Sequence, residues 1–217
     1  MKTAALKQIQ YDPSVFTDVE TVDEAVKIIL TPEAGMTSAH RWRAETPYLM
    51  GLIKRFVQPS SMVLDYGCGI GRLAKPLIAD MNCKVLGVDI APNMLALACS
   101  CVNSERFAAL SPWMLTTLSP HCNAAISVWT LQHVLSLKDA VRDIEFCVVT
   151  GGTLFVVNNL GRVVPTDGGW INDGQDVHAT ILDNGFDLIE RGELEGDEIA
   201  PGSLRDDTFW AAYRKTA

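Results

Sequence analysis

What the chain lacks narrows its role first. No apolar run approaches the roughly 20 residues that span a bilayer; the longest are short and broken by Gly, Asp or Asn. The first ten residues carry lysines but not the apolar stretch of a secretory signal. A cytoplasmic protein with no membrane association is therefore expected. The six cysteines, Cys68, Cys83, Cys99, Cys101, Cys122 and Cys147, form no C-x-x-C pair. The one C-x-C, at Cys99 and Cys101, has no companion ligands, so free thiols are expected rather than disulfides or a metal site. Basic charge is scarce as well: 18 Lys and Arg against 26 Asp and Glu leave a formal charge of −8. Duplex-binding proteins concentrate basic charge on one face. Here the basic knot is only His40, Arg41 and Arg43, so a nucleic-acid partner is not expected.

What is present is a core. Apolar residues make up 48% of 217 residues, enough for one ordinary domain with extensions. Residues 1–60 read as a helical lead-in able to fold over a ligand as a lid, and residues 61–217 as the main domain. Thr21 to Leu30 has apolar residues at helical spacing, with Thr21 and Glu24 placed as a capping box. Glu45 to Val57 reads as a second helix. From Met62 on, short apolar strands alternate with helical segments: strands at 62–65, 84–88, 106–110, 124–129 and 153–158, helices at 72–79, 93–102, 138–149 and 173–184. The segments 186–191 and 208–213 read as a closing strand pair. That alternation predicts a doubly wound α/β domain with a mostly parallel sheet.

The most informative stretch is Val63-Leu64-Asp65-Tyr66-Gly67-Cys68-Gly69-Ile70-Gly71. A strand runs into a three-glycine turn and straight into a helix. Dinucleotide folds use G-x-G-x-x-G, whose helix amides meet a pyrophosphate. This turn has G-x-G-x-G with Asp65 two residues ahead of it. An acid there repels a pyrophosphate but suits a ligand carrying an ammonium group. A second acid, Asp89, ends the strand Val85-Leu86-Gly87-Val88 and is placed to accept hydrogen bonds from ribose hydroxyls.

Together VLDYGCGIGR, VLGVDIAPNML, ISVWTLQHV and GGTLFVV resemble the class I S-adenosylmethionine (SAM)-dependent methyltransferases, the small-molecule branch most closely, over about Met62 to Asn158. The resemblance implies a Rossmann-like seven-stranded sheet, mostly parallel with an antiparallel last strand. It implies SAM as cofactor and S-adenosylhomocysteine (SAH) as product. Asp65, Gly67, Cys68 and Gly69 would surround the methionine part. Asp89 would hold the ribose, with Ile90 and Met94 beside the adenine. Trp129 would offer its carbonyl to the ammonium group; separately, the position of Arg41 and Arg43 just before the Glu45 helix lets either meet the SAM carboxylate. The family's acid after the third strand is absent; Ser111 and Trp113 stand there as substitutes.

In-line methyl transfer needs alignment in a dry site, and a base when the acceptor must lose a proton. The base candidates are His133, His178 and His40, in that order. The Asn-Pro-Pro-Tyr motif of enzymes that methylate base amines is replaced by Trp129-Thr130-Leu131-Gln132, which with the acidic balance favours a small-molecule or protein acceptor over DNA. A protein methyltransferase, a SAM-binding partner without catalysis and, further off, a nicotinamide oxidoreductase are the competing readings. The oligomeric state and the acceptor are not legible in the residues.

Overall fold

The computed structural model describes residues 10–202 and 204–216. The chain enters through three helices, α1 (Ser14–Thr17), α2 (Val22–Ile29) and α3 (Ser38–Ile53). The capping box of α2 forms as the sequence predicts: Glu24 N–H donates to Thr21 Oγ1 at 3.3 Å and Thr21 N–H donates to Glu24 Oε2 at 3.0 Å. The third helix starts seven residues before the expected Glu45. Its first turns carry His40, Arg41 and Arg43, so apolar periodicity misses them; Thr37 caps them, its Oγ1 accepting from His40 N–H at 3.2 Å. Pro47 sits inside α3 and deprives the Arg43 carbonyl of its helical donor. Both residues are exposed, so water replaces that bond.

Strands and helices then alternate: β1 (Met62–Tyr66), α4 (Ala74–Met81), β2 (Lys84–Val88), α5 (Pro92–Val102), β3 (Phe107–Leu110), α6 (Leu115–Leu118), β4 (Cys122–Val128), α7 (Leu137–Cys147) and β5 (Val148–Asn159). A small hairpin follows, β6 (Val164–Thr166) and β7 (Gly169–Ile171), then α8 (Val177–Leu182), β8 (Phe186–Gly192), α9 (Leu204–Asp207) and β9 (Thr208–Lys215). The expected helix at 173–184 is only α8, because Asp176 caps it late by accepting from Ala179 N–H at 3.0 Å.

The main sheet runs β3-β2-β1-β4-β5-β9-β8. Strands β1 to β5 are parallel, and β9 is antiparallel to both neighbours. The predicted Rossmann-like seven-stranded sheet is thus present. Its strand order reverses between β1 and β4, which opens a crevice at their carboxyl ends. Alternation along β1 feeds both faces: Leu64 and Tyr66 join a core with α7 and α8, and Val63 joins one with α3 and α4. The lead-in has its own apolar cluster, in which Val19 and Ala25 pack with Ile70, Ala91 and Met94 beside the glycine turn. No helix among the described residues is long and apolar enough to cross a membrane.

Candidate functional site

The crevice above β1, β2 and β4 is a cavity of about 600 Å³, within the roughly 300–1,000 Å³ typical of small-molecule sites. Its floor is built by the two predicted motifs. Gly67 N–H and Cys68 N–H both donate to the Val88 carbonyl, at 2.7 and 2.9 Å, so the glycine turn is tied to the end of β2. Asp89 holds the turn from the other side. Its Oδ2 accepts from Gly69 N–H at 2.9 Å and its Oδ1 from Ala91 N–H at 3.0 Å. Burial raises the Asp89 pKa, and those backbone donors oppose the rise.

Gly67 has φ +81°, and a Cβ there would meet Thr130 Oγ1 at 2.0 Å. Gly67→Ala is therefore expected to abolish SAH binding. Thr130→Ala in that background removes the clash but leaves the left-handed backbone, about 1–2 kcal/mol for a residue with a side chain, so recovery should be partial. Calorimetric SAH titration of both variants checks this; full affinity in Gly67→Ala would mean that the turn tolerates a side chain.

Asp65 pairs in register with Gly87 on one side and Ile126 on the other and is 2% exposed. Burial, reinforced by Asp89 and opposed by Arg72, pushes its pKa up to about 7. Its Oδ2 has no hydrogen-bond partner among the described residues. Beside it lies a network that the sequence did not disclose. Glu45, fully buried on α3, accepts from Arg72 Nη2 at 2.9 Å, from Trp129 Nε1 at 2.7 Å and from Arg41 Nη2 at 3.4 Å. Arg41 also donates to the Thr31 carbonyl at 2.7 Å. Trp129 is held with φ +59°, a conformation rare for a residue with a side chain.

The opposite wall comes from the lead-in and the hairpin. Tyr11 and Asp12 are pinned to the hairpin, Asp12 N–H donating to the Pro165 carbonyl at 3.0 Å. Phe16 stands 5.6 Å from the His133 ring and 6.1 Å from Trp170, with His133 and Trp170 5.1 Å apart. His133 Nδ1 lies 2.7 Å from the Val163 carbonyl, so Nδ1 carries the proton, and Nε2 lies 3.1 Å from Gln132 Nε2. Burial lowers the His133 pKa, with Arg162 adding to the fall.

Of the sequence candidates, Gly67, Gly69, Asp89, Ile90, Met94, Trp129 and His133 line this one cavity. Asp65 sits just behind it, and so does Cys68, whose buried Sγ faces Gly87. Ser111 and Trp113 do not line it; Pro112 between them does, and Trp113 is 68% exposed. Arg43 lies on the outer face of α3, whereas Arg41, two residues earlier, reaches the cavity. His40 faces solvent 3.7 Å from Glu198. His178 lies away from the cavity under β9, its Nδ1 2.7 Å from the Tyr213 hydroxyl. Helical and strand periodicity could not show these placements, because each depends on a neighbour distant in sequence. Tyr11, Phe16 and Glu45 were missed for the same reason.

Residues 64–156 match the family model described as a methyltransferase domain. No curated protein matches the chain. Among solved structures, a SAM-dependent methyltransferase from Mesorhizobium loti is 16% identical with a TM-score of 0.60, covering 80% of this chain and 100% of its own. The N-methyltransferase NodS from Bradyrhizobium japonicum WM9, solved with SAH, is 16% identical with a TM-score of 0.57, covering 73% of this chain and 80% of its own. The [4+2]-cyclase SpnF is 18% identical with a TM-score of 0.63, covering 78% of this chain and 80% of its own. At such identities the likeness speaks for the fold. The family match over residues 64–156, the G-x-G-x-G turn with its two acids and the sheet order converge on a methyltransferase domain with the class I fold.

Proposed function

We propose that the chain transfers the SAM methyl group to a small-molecule acceptor by in-line displacement within this cavity. The observation that carries the reading is one cavity with two unlike walls: the motif residues on one side, and Tyr11, Phe16, His133 and Trp170 on the other. SAM, when bound, supplies a methyl activated by its sulfonium. The chain's own residues bind, orient and keep water out. Asp89 retains free lone pairs for the ribose hydroxyls. Ile90 and Met94 give the adenine an apolar bed. Arg41 faces the carboxylate, where two arginines against Glu45 leave net positive charge. The unpartnered Oδ2 of Asp65 and the carbonyl of Trp129 suit the ammonium group.

His133 is neutral near pH 7 because burial disfavours its charged form, so its Nε2 is a proton acceptor once Gln132 yields. The lead-in completes the site: Ile28 to Thr31 and Phe16 roof it, and Ile29 packs against Gly69. That roof supports the lid reading of residues 1–60. Six free cysteines agree with a reducing, cytoplasmic setting.

Calorimetry with SAH at pH 7 in buffers of different ionisation enthalpy tests the reading. An ammonium beside Asp65 stabilises its charged form, which lowers a pKa of about 7. Binding should therefore release a fraction of a proton. Absence of SAH binding by the folded protein would sink the proposal, and binding without proton release would remove Asp65 from the ammonium site.

A further inference from the structure

The cavity has a third wall that neither cofactor recognition nor the aromatic roof uses. Asp139 and Asp143, one turn apart on α7, both line it. Asp139 is exposed at the mouth and Asp143 is half-buried further in. Neither side chain has an ion-pair or hydrogen-bond partner among the described residues. The cations near the cavity are already engaged: Arg41 with Glu45, and Arg162 with Asp173 at 2.9 Å. Burial raises the Asp143 pKa and Asp139 adds to the rise, as for carboxylates lacking a positive neighbour. Tyr66 points into the same corner. It is 7% exposed, it lines the cavity, and its hydroxyl has no partner among the described residues. A hydroxyl of a buried residue, left open towards a cavity without a protein partner, offers itself to a ligand atom.

Two unpaired carboxylates, a free phenol and a set of aromatic faces in one small space make the surroundings of a cation, held by charge and by ring quadrupoles. We propose, building on the methyltransferase reading above, that the acceptor is an amine that enters as its ammonium ion along Asp139 and Asp143 and docks against Tyr66 beneath Phe16, His133 and Trp170. The transfer balances. The ammonium gives one proton to His133 Nε2 and so to water. The freed nitrogen lone pair forms the new N–CH₃ bond. The C–S bond breaks with its electron pair staying on sulfur, leaving SAH and a methylated ammonium.

Probes of one shape and three charges test it. Phenethylamine, 2-phenylethanol and phenylacetate are titrated into protein saturated with SAH, and a panel of primary and secondary amines is assayed with SAM by mass spectrometry. Phenethylamine should bind at least tenfold more tightly than the alcohol, with phenylacetate weaker still, and some amine in the panel should gain a methyl group. In Asp139→Asn/Asp143→Asn the preference for the amine should disappear while SAH affinity stays within about twofold, which rules out global damage. Equal binding of amine and alcohol, a preference that survives the double substitution, or no amine bound or methylated while SAH still binds would each overturn the amine assignment alone. Failure of SAH to bind the wild type would overturn the methyltransferase reading along with it.

Discussion

Replacing Glu45 with alanine is expected to lower the melting temperature by about 10 °C. Glu45 is fully buried, and two arginines, 3% and 6% exposed, share its carboxylate. Removing one partner of a buried ionic cluster costs roughly 3–5 kcal/mol, because the remaining charges stay desolvated without compensation. For a chain of this size each kcal/mol moves the melting temperature by about 2–4 °C. The loss is not only ionic. Trp129 Nε1 loses its acceptor, and one atom each of Arg41 and Arg72 already lacks a partner. Glu45→Gln keeps the shape and one acceptor oxygen, so its loss should be smaller. Thermal unfolding followed by circular dichroism measures both. A drop below about 3 °C for Glu45→Ala would mean that water reaches the arginines and that Glu45 does not hold the lead-in to the sheet.

Asp89→Ala is expected to weaken SAH binding by about 100-fold while leaving the protein folded. Hydrogen bonds to a charged group contribute about 1.5–3 kcal/mol each, and tenfold in affinity corresponds to about 1.4 kcal/mol. The substitution removes the ribose acceptor and also frees the amides of Gly69 and Ala91, so the glycine turn loses its fixed shape. It should also lower the Asp65 pKa, since Asp89 is one of the causes holding it near 7. Proton release on binding should then shrink together with affinity. Unchanged SAH affinity would place the ribose elsewhere in the cavity.

The sheet and the floor of the site were legible in the residues because their signals are local. A strand that ends in Asp65 and runs into three glycines, and a strand that ends in Asp89, announce their geometry within ten residues. So does the capping box at Thr21 and Glu24. The roof was not legible. Phe16, His133 and Trp170 meet only because Tyr11 and Asp12 bridge to the hairpin at Pro165 and Thr166, a pairing across about 150 residues of sequence. Arg41 and Arg43 could not be told apart because only the rotation of α3 turns one inward. The acid missing after β3 had suggested Ser111 and Trp113, yet Pro112 takes the wall because the short turn at 112–114 carries its neighbours out to either side.

The place of β9 has a consequence for the chain while it is being made. This strand follows β8 in sequence but lies between β5 and β8, pairing with both. Until Lys215 has left the ribosome, the β5 edge has no neighbour, and β8 has nothing to pair with. Nascent chains therefore carry an apolar, unpaired edge, Thr153 to Asn159, from the emergence of Asn159 until that of β9. Open edges of this kind pair readily with other chains. The cofactor-binding half can assemble early, but the sheet is completed only by β9, so a pause or termination between Asn159 and Thr208 leaves an edge open to other chains.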